Sequence, residues 1–271
     1  MSERLRTALT FDAEHPDRPD ASAGAAERIL DVLEDAGARA TFFLQSRWAM
    51  ANPDLARRIA DAGHLVGNHS TYHARMTLFS DDGIRVDVRQ AGDTIAELAG
   101  VDPRPWFRCP FGDGHDDPRV LDLLEELGYR NVHWHVESED WEPWRTPAEI
   151  GRASVEGAIA HGDGAVVLLH TWPRATAAAL PIALEGLERA MASVVTIASA
   201  ANSDAARLAI INRSCAALPP KERDLRGVGI VDSGSAAQRQ AALVELLLHL
   251  VEALLPEVGD VQQVVLVLQH E

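Results

Sequence analysis

Several protein classes are excluded by what this chain has little of. Its 271 residues include two cysteines, Cys109 and Cys215, too few for a disulfide framework; both are read as reduced and structural. Arg108 beside Cys109 also admits a reactive thiol, but a packed small residue is the preferred reading. Basic residues are outnumbered, 25 Lys and Arg against 41 Asp and Glu, for a net charge of −16. No basic run exists to neutralise phosphates, which excludes nucleic acid and anionic membrane as the main partner. The acidity is read as plain solubility. Long apolar runs are also missing: the longest, Leu243 to Leu255, carries Glu245, His249 and Glu252, so none spans a bilayer. Residues 1–6 show no charged region followed by an apolar one, so no secretory signal is read, and a soluble cytoplasmic protein is expected. Aromatics are sparse at 5%, yet six are Trp against two Tyr, and several of those Trp flank polar residues of interest.

What is present is an apolar content of 46%, spread along the chain and sufficient for a large α/β core. The order of elements alternates. Residues 4–11 read as a buried strand, and Ser22 caps a helix to Ala36 that Gly37 stops. A strand at 40–44 precedes a helix from Pro53 to Ala62, and a third strand covers 64–67. A helix from Asp81 or Asp82 to Ala99 is followed by a short strand at Trp106–Phe107 and a helix at 117–127. Residues 129–136 read as one strand, Pro147 opens a helix to Ala160, and 165–169 is a strand. A helix at 176–191 leads to a strand at 194–197. Short apolar strands alternating with helices predict a parallel sheet. About seven repeats with few long gaps suit a closed or nearly closed β/α barrel, with a doubly wound sheet as the competing topology.

Five polar residues follow predicted strand ends: Asp12, His69, Arg108, Asp140 and His170. In a parallel barrel those ends converge on one face, where active sites are built. His69 and His73 lie four apart; if 69–73 is one turn of helix, both imidazoles project from one face and can hold a divalent metal. Asp12 and Glu14 lie two apart on extended chain and share a side of the backbone, so one can ligate while the other takes a proton from water. Arg108 is suited to hold the base ionised, and His170 to protonate a departing amine with Asp140 raising its pKa. Two histidines and a carboxylate suit Zn²⁺ and tolerate Co²⁺, Ni²⁺ or Fe²⁺. Together these residues predict metal-assisted hydrolysis of an amide or ester.

Five ordered segments then resemble the polysaccharide deacetylases of the NodB-homology type, carbohydrate esterase family 4. They are Thr10-Phe11-Asp12-Ala13-Glu14, His69-Ser70-Thr71-Tyr72-His73, Arg108-Cys109-Pro110-Phe111, Glu137-Ser138-Glu139-Asp140-Trp141 and Leu168-Leu169-His170, within residues 4–198. The resemblance implies a distorted (β/α)7 barrel and removal of an N- or O-acetyl group. It implies His69 and His73 as metal ligands, Asp12 as base tethered by Arg108, and His170 as acid tuned by Asp140. Trp141 and Leu168 are implied to line the acetyl pocket, and the backbone N–H of Phe111 to bind the oxyanion. One position departs. The common first motif is T-F-D-D with its second Asp on the metal, and here that position is Ala13. Members resembling D-x-D or D-x-E use the later carboxylate, which places Glu14 on the metal. The reverse roles for Asp12 and Glu14, or a weakened metal site, are the competing readings.

Residues 199–271 do not resemble the family. They read as a C-terminal α/β extension: helices at 200–217 and 236–255, strands at 226–231 and 261–268. It is expected to cap the barrel or pair with a second copy, which admits a homo-oligomer. His15, His64, His115, His133, His135 and His161 are read as structural or surface residues, with His15 and Trp172 near enough to motifs to touch substrate. Without a signal, a small-molecule or carbohydrate substrate inside the cell is expected, such as an acetamido sugar. A cyclic amide of the allantoin type is the alternative substrate, and a catalytically inactive carbohydrate-binding barrel the alternative function.

Overall fold

The computed structural model describes residues 4–17 and 21–200. The expected extension, and with it nearly all of the second domain, lies outside these residues. Strands β1 (Leu5–Ala13), β2 (Thr41–Leu44), β3 (Leu65–Asn68), β4 (Trp106–Phe107), β5 (Arg130–Asn131), β6 (Val136–Glu137), β7 (Ala165–His170) and β8 (Ala192–Val195) are joined through helices α1 (Ala25–Asp35), α2 (Ser46–Ala51), α3 (Pro53–Asp61), α4 (Asp81–Ala99), α5 (Pro118–Glu126), α6 (Pro147–His161), α7 (Arg174–Arg189) and α8 (Ile197–Ala200). Every strand pairing is parallel. Seven strands run in the order β5-β4-β3-β2-β1-β7-β6, with β8 joined to β1 off that path. The result is a curled parallel sheet, a distorted (β/α)7 barrel, as expected.

Among the described residues the barrel is not closed by a ladder. The stretch read from sequence as one strand, 129–136, is two short strands at opposite ends of the sheet path. Residues 132–135 carry the chain across the gap, tied by single backbone bonds from Val132 N to Phe107 O (2.7 Å) and His135 N to Val166 O (2.9 Å). A continuous strand cannot pair with both edges, so the pattern breaks where the chain changes edge.

Helix limits follow local chemistry. Ser80 caps α4 by accepting from Gly83 N (3.2 Å), Asp117 caps α5, and Thr146 with Glu149 forms a capping box on α6. The expected cap Ser22 sits two residues before the actual N-cap, Gly24; its backbone N–H bonds Trp172 O instead. The six-residue α2 escaped the sequence reading because it is too short to show a helical period. Packing fixes β3: a Cβ on Gly67 would lie 2.6 Å from the Phe43 ring. Cys109 is a buried core residue whose burial pushes its thiol well up, which agrees with the packed reading.

The pleat sorts side chains between two apolar regions. Leu9, Phe11 and Ala13 of β1 join the large core beneath the helices, whereas Ala8 faces the smaller cluster with Phe43, Val132 and Val166. Side chains alternate along a strand, so Ala8, Thr10 and Asp12 form one row and Val166, Leu168 and His170 another. In the β1–β7 register Asp12 stands opposite His170. Both rows therefore end in chemistry at the C-terminal rim.

Candidate active site

Glu14 continues the parity of Asp12 beyond the last paired residue, and Ala13 packs into the core. This local geometry explains the departure at position 13. A side chain there points toward the helices, and the next residue reaches inward. The carboxylate of Glu14 is buried and lies among three histidines: Oε2 is 3.2 Å from His69 Nε2 and in close contact with His73 Nε2, while Oε1 is 3.2 Å from His15 Nε2. Burial pushes the Glu14 carboxyl up, but hydrogen bonds from His15, His69 and His73 outweigh it and hold the group well below the ordinary range.

The His69–His73 segment is not a helical turn, contrary to expectation. β3 extends through Asn68, and His69 N still bonds Leu44 O (2.9 Å). Ser70 and His73 then adopt left-handed backbone, φ 66° and 53°. Asn68 Oδ1 accepts from Ser70 N (2.9 Å), and the buried Asp87 of α4 accepts from Thr71 N (3.2 Å) and Tyr72 N (3.3 Å). These side-chain acceptors replace the bonds a helix would make. The rings converge all the same, with centroids 4.9 Å apart.

His69 Nδ1 lies 2.8 Å from the Arg108 carbonyl, an acceptor only, so Nδ1 carries a proton and Nε2 is the nitrogen turned to Glu14. Nε2 and the Glu14 oxygen, 3.2 Å apart, hydrogen-bond when Nε2 is protonated, and are placed to share a cation in place of that proton. Glu14, His69 and His73 present ligand atoms within 4.8 Å of one another, as do Asp12, Glu14 and His170. Burial opposes charge on His69, but Asp12 and Glu14 raise its pKa; burial lowers that of His73, with His69 adding repulsion. His73 Nδ1 is buried and finds no hydrogen-bond partner among the described residues.

Asp12 Oδ1 accepts from Arg108 Nη1 (2.8 Å), and its Oδ2 is 3.5 Å from His69 Nε2. Arg108 is fully buried; its Nε donates to Val132 O (3.0 Å), and the guanidinium lies over the rings of Phe43 (4.2 Å) and Trp134 (5.6 Å). His170 Nδ1 is 2.8 Å from Asp140 Oδ1, while Asp140 Oδ2 accepts from His170 N (2.7 Å) and Thr176 Oγ1 (2.5 Å). Burial works against a charged His170, but Asp140 outweighs it, and the pKa is pushed up to about 9, with Glu14 and Asp12 adding.

Asp12, Glu14, His73 and His170 line a cleft of about 370 Å³ with Phe111, Trp141 and Leu168, and His69, Arg108 and Asp140 stand behind them in contact with Glu14, Asp12 and His170. Trp141 meets the His170 ring edge-on at 5.3 Å. Phe111 has φ 58°, and its exposed ring packs against His73 at 4.5 Å. Every residue singled out from the sequence is thus in one place. Among the described residues, five of the six non-glycine residues with positive φ, namely His15, Ser70, His73, Phe111 and Glu139, lie in these rim loops, where strained backbone marks functional geometry.

The sequence shows no signal for Gln45, Trp134 and Thr176, and it offers His15 and Trp172 as substrate contacts rather than as partners of Glu14. Gln45 Oε1 accepts from His15 N (2.9 Å) and its Nε2 donates to Thr71 O (3.0 Å), tying the carboxylate loop to the histidine loop. Asp87 left a usable signal: it interrupts the buried stripe Ile84, Val88, Ala91 and Ile95 of α4.

Fold and site together define a class: a distorted parallel β/α barrel with a His₂–carboxylate cluster and an Asp–Arg, His–Asp pair at the C-terminal rim. Comparison with known proteins gives the family. The polysaccharide deacetylase profile matches residues 3–132. A family 4 carbohydrate esterase from Streptomyces lividans, solved with acetate, is 30% identical with a TM-score of 0.62, over 71% of this chain and 93% of that one. A family 4 acetyl xylan esterase from Clostridium thermocellum, solved with a cobalt ion, is 28% identical with a TM-score of 0.63, over 72% and 89%. A peptidoglycan-N-acetylglucosamine deacetylase from Listeria monocytogenes is 31% identical over 71% of this chain. This chain belongs to the polysaccharide deacetylase family, carbohydrate esterase family 4. It spans 38% of the length of the Listeria enzyme, and 65% of an uncharacterised Geobacillus stearothermophilus relative.

Proposed function

We propose that the protein is a metal-dependent hydrolase that removes an acetyl group from an acetamido sugar. The observation that carries this is the convergence of Glu14 Oε2 with His69 Nε2 and His73 Nε2 in a buried pocket with Asp12 and His170. The printed activities of the relatives support the acetyl substrate, and the cobalt ion in one of them supports the metal.

Glu14, His69 and His73 would hold Zn²⁺ or a similar divalent ion, which supplies Lewis acidity toward water and the acetyl carbonyl. Asp12 is the base. Arg108 occupies its Oδ1, leaving Oδ2, on the histidine side, to take the proton of the attacking water. As that oxygen bonds to the acetyl carbon, the Phe111 N–H donates to the developing oxyanion. His170 carries a proton on Nε2 because Asp140 holds Nδ1, and it passes that proton to the amine as the C–N bond breaks. Acetate and a free amine result. Trp141 and Leu168 enclose the methyl group.

The test is acetate release from a panel of acetamido sugars by the full chain, before and after EDTA, with Zn²⁺ or Co²⁺ restored. Turnover that EDTA abolishes and metal returns is expected. A chain with no stoichiometric divalent metal and no acetate release from the panel refutes the reading.

A further inference from the structure

The two oxygens of Glu14 face different partners. Oε2 faces His69 and His73. Oε1 accepts from the indole Nε1–H of Trp172 (3.2 Å) and is 3.2 Å from His15 Nε2. Trp172 is buried, and its N–H is a donor that neither ligates a metal nor titrates. It can only hold an acceptor, and the acceptor here is Glu14.

The frame around these two residues is itself tied down. Thr171 N bonds Asp12 O (3.1 Å) and Ser22 N bonds Trp172 O (3.0 Å), which fixes the segment after β7 against the end of β1. His15 has φ 53°, and its N–H is held by Gln45 Oε1 (2.9 Å). A glutamate has one more rotatable bond than an aspartate and loses more rotamer freedom when ordered. A ligand supplied from position 14 therefore gains most from partners that fix its far oxygen.

We infer that Trp172 and His15 are positioning residues for Glu14: by holding Oε1 they present Oε2 alone to a divalent cation between His69 and His73. This rests on the reading of Glu14, His69 and His73 as the metal site. Neither residue is assigned contact with the cation. Partners of this kind change metal affinity by about 10- to 100-fold when removed.

The experiment measures Zn²⁺ affinity of the full chain by chelator competition, and the visible spectrum of the Co²⁺ form, for wild type, Trp172→Phe and His15→Asn. Asparagine tolerates the left-handed backbone at 15. Circular dichroism checks folding. The dissociation constant is expected to rise by about 10-fold or more in Trp172→Phe and by a smaller factor in His15→Asn. The Co²⁺ band intensity should change as the freed carboxylate swings toward two-oxygen ligation. Glu14→Ala should keep only weak Zn²⁺ binding through His69 and His73, and in that background neither substitution should weaken the residual binding further, because their effect passes through Glu14. Folded variants with wild-type affinity and spectrum overturn the inference, as does an equal loss in the Glu14→Ala background. If Trp172→Phe does not fold, His15→Asn and its double variant decide. A wild-type chain that binds no metal instead refutes the proposed function.

Discussion

Replacing Arg108 with methionine keeps an unbranched apolar stem in the barrel and deletes the charge. Arg108 is 0% and Asp12 3% exposed, so the carboxylate is left buried without its cation. Unit charges about 4 Å apart at an effective dielectric of about 20 attract by about 4 kcal/mol. Removing one partner of a buried pair generally costs about 3–5 kcal/mol. The remaining neighbour of Asp12, His69 Nε2, is farther away at 3.5 Å and is already engaged by Glu14 at 3.2 Å. We therefore expect Arg108→Met to destabilise the metal-free protein by about 3–4 kcal/mol. Arg108→Met/Asp12→Asn, which removes both charges, should lose at least about 2 kcal/mol less than the sum of the single variants. Urea unfolding followed by tryptophan fluorescence is the assay, since all six Trp lie between residues 48 and 172 and report the barrel. A loss below about 1 kcal/mol in Arg108→Met, or additive single variants, would refute the claim that the pair is energetically coupled.

Two further outcomes are expected. His64 is buried against Phe42, its Nδ1 accepts from Ala40 N (3.2 Å), and burial, with Arg39 and Arg58, pushes its pKa down to about 4. The unfolded ring takes a proton near its ordinary value of about 6.5 and the folded one does not, so stability falls as pH drops from about 6.5 toward 4, by on the order of 2–3 kcal/mol. His64→Gln should flatten that part of the curve in denaturant titrations of metal-free protein; parallel curves for the two proteins contradict it. Thr176→Val removes a donor from Asp140 Oδ2 while keeping the side-chain shape, and should cost about 1–3 kcal/mol and lower kcat more than KM. Unchanged stability and kcat would deny Asp140 the support assigned to it.

Much of the site was legible because strand ends are legible. Apolar runs stopping at Asp12, Arg108 and His170 assign those side chains to one rim, and the β1–β7 register sets two of them, Asp12 and His170, opposite each other. His69 and His73 were found for a partly wrong reason. Their spacing suggested a helix, but Asn68 and Asp87 hold an irregular loop that brings the rings together another way. A helical period cannot reveal contacts made by a side chain on a distant helix. The same limit hid Thr176 and Gln45, which look like ordinary polar residues until the chain folds. The break at 132–135 is invisible for a topological reason: the strand-like alternation of Val132, Trp134 and Val136 with His133 and His135 continues through it while the chain crosses between sheet edges.

The central claim is that Glu14 holds the metal and Asp12 works beside it. The most direct test is the metal content of Asp12→Asn and Glu14→Ala after loading with Zn²⁺, measured alongside acetate release. Asp12→Asn is expected to retain one ion per chain through desalting and lose turnover, while Glu14→Ala, left with His69 and His73, binds too weakly to retain it. Retention of the ion by Glu14→Ala with its loss from Asp12→Asn would contradict the account and reverse the two roles.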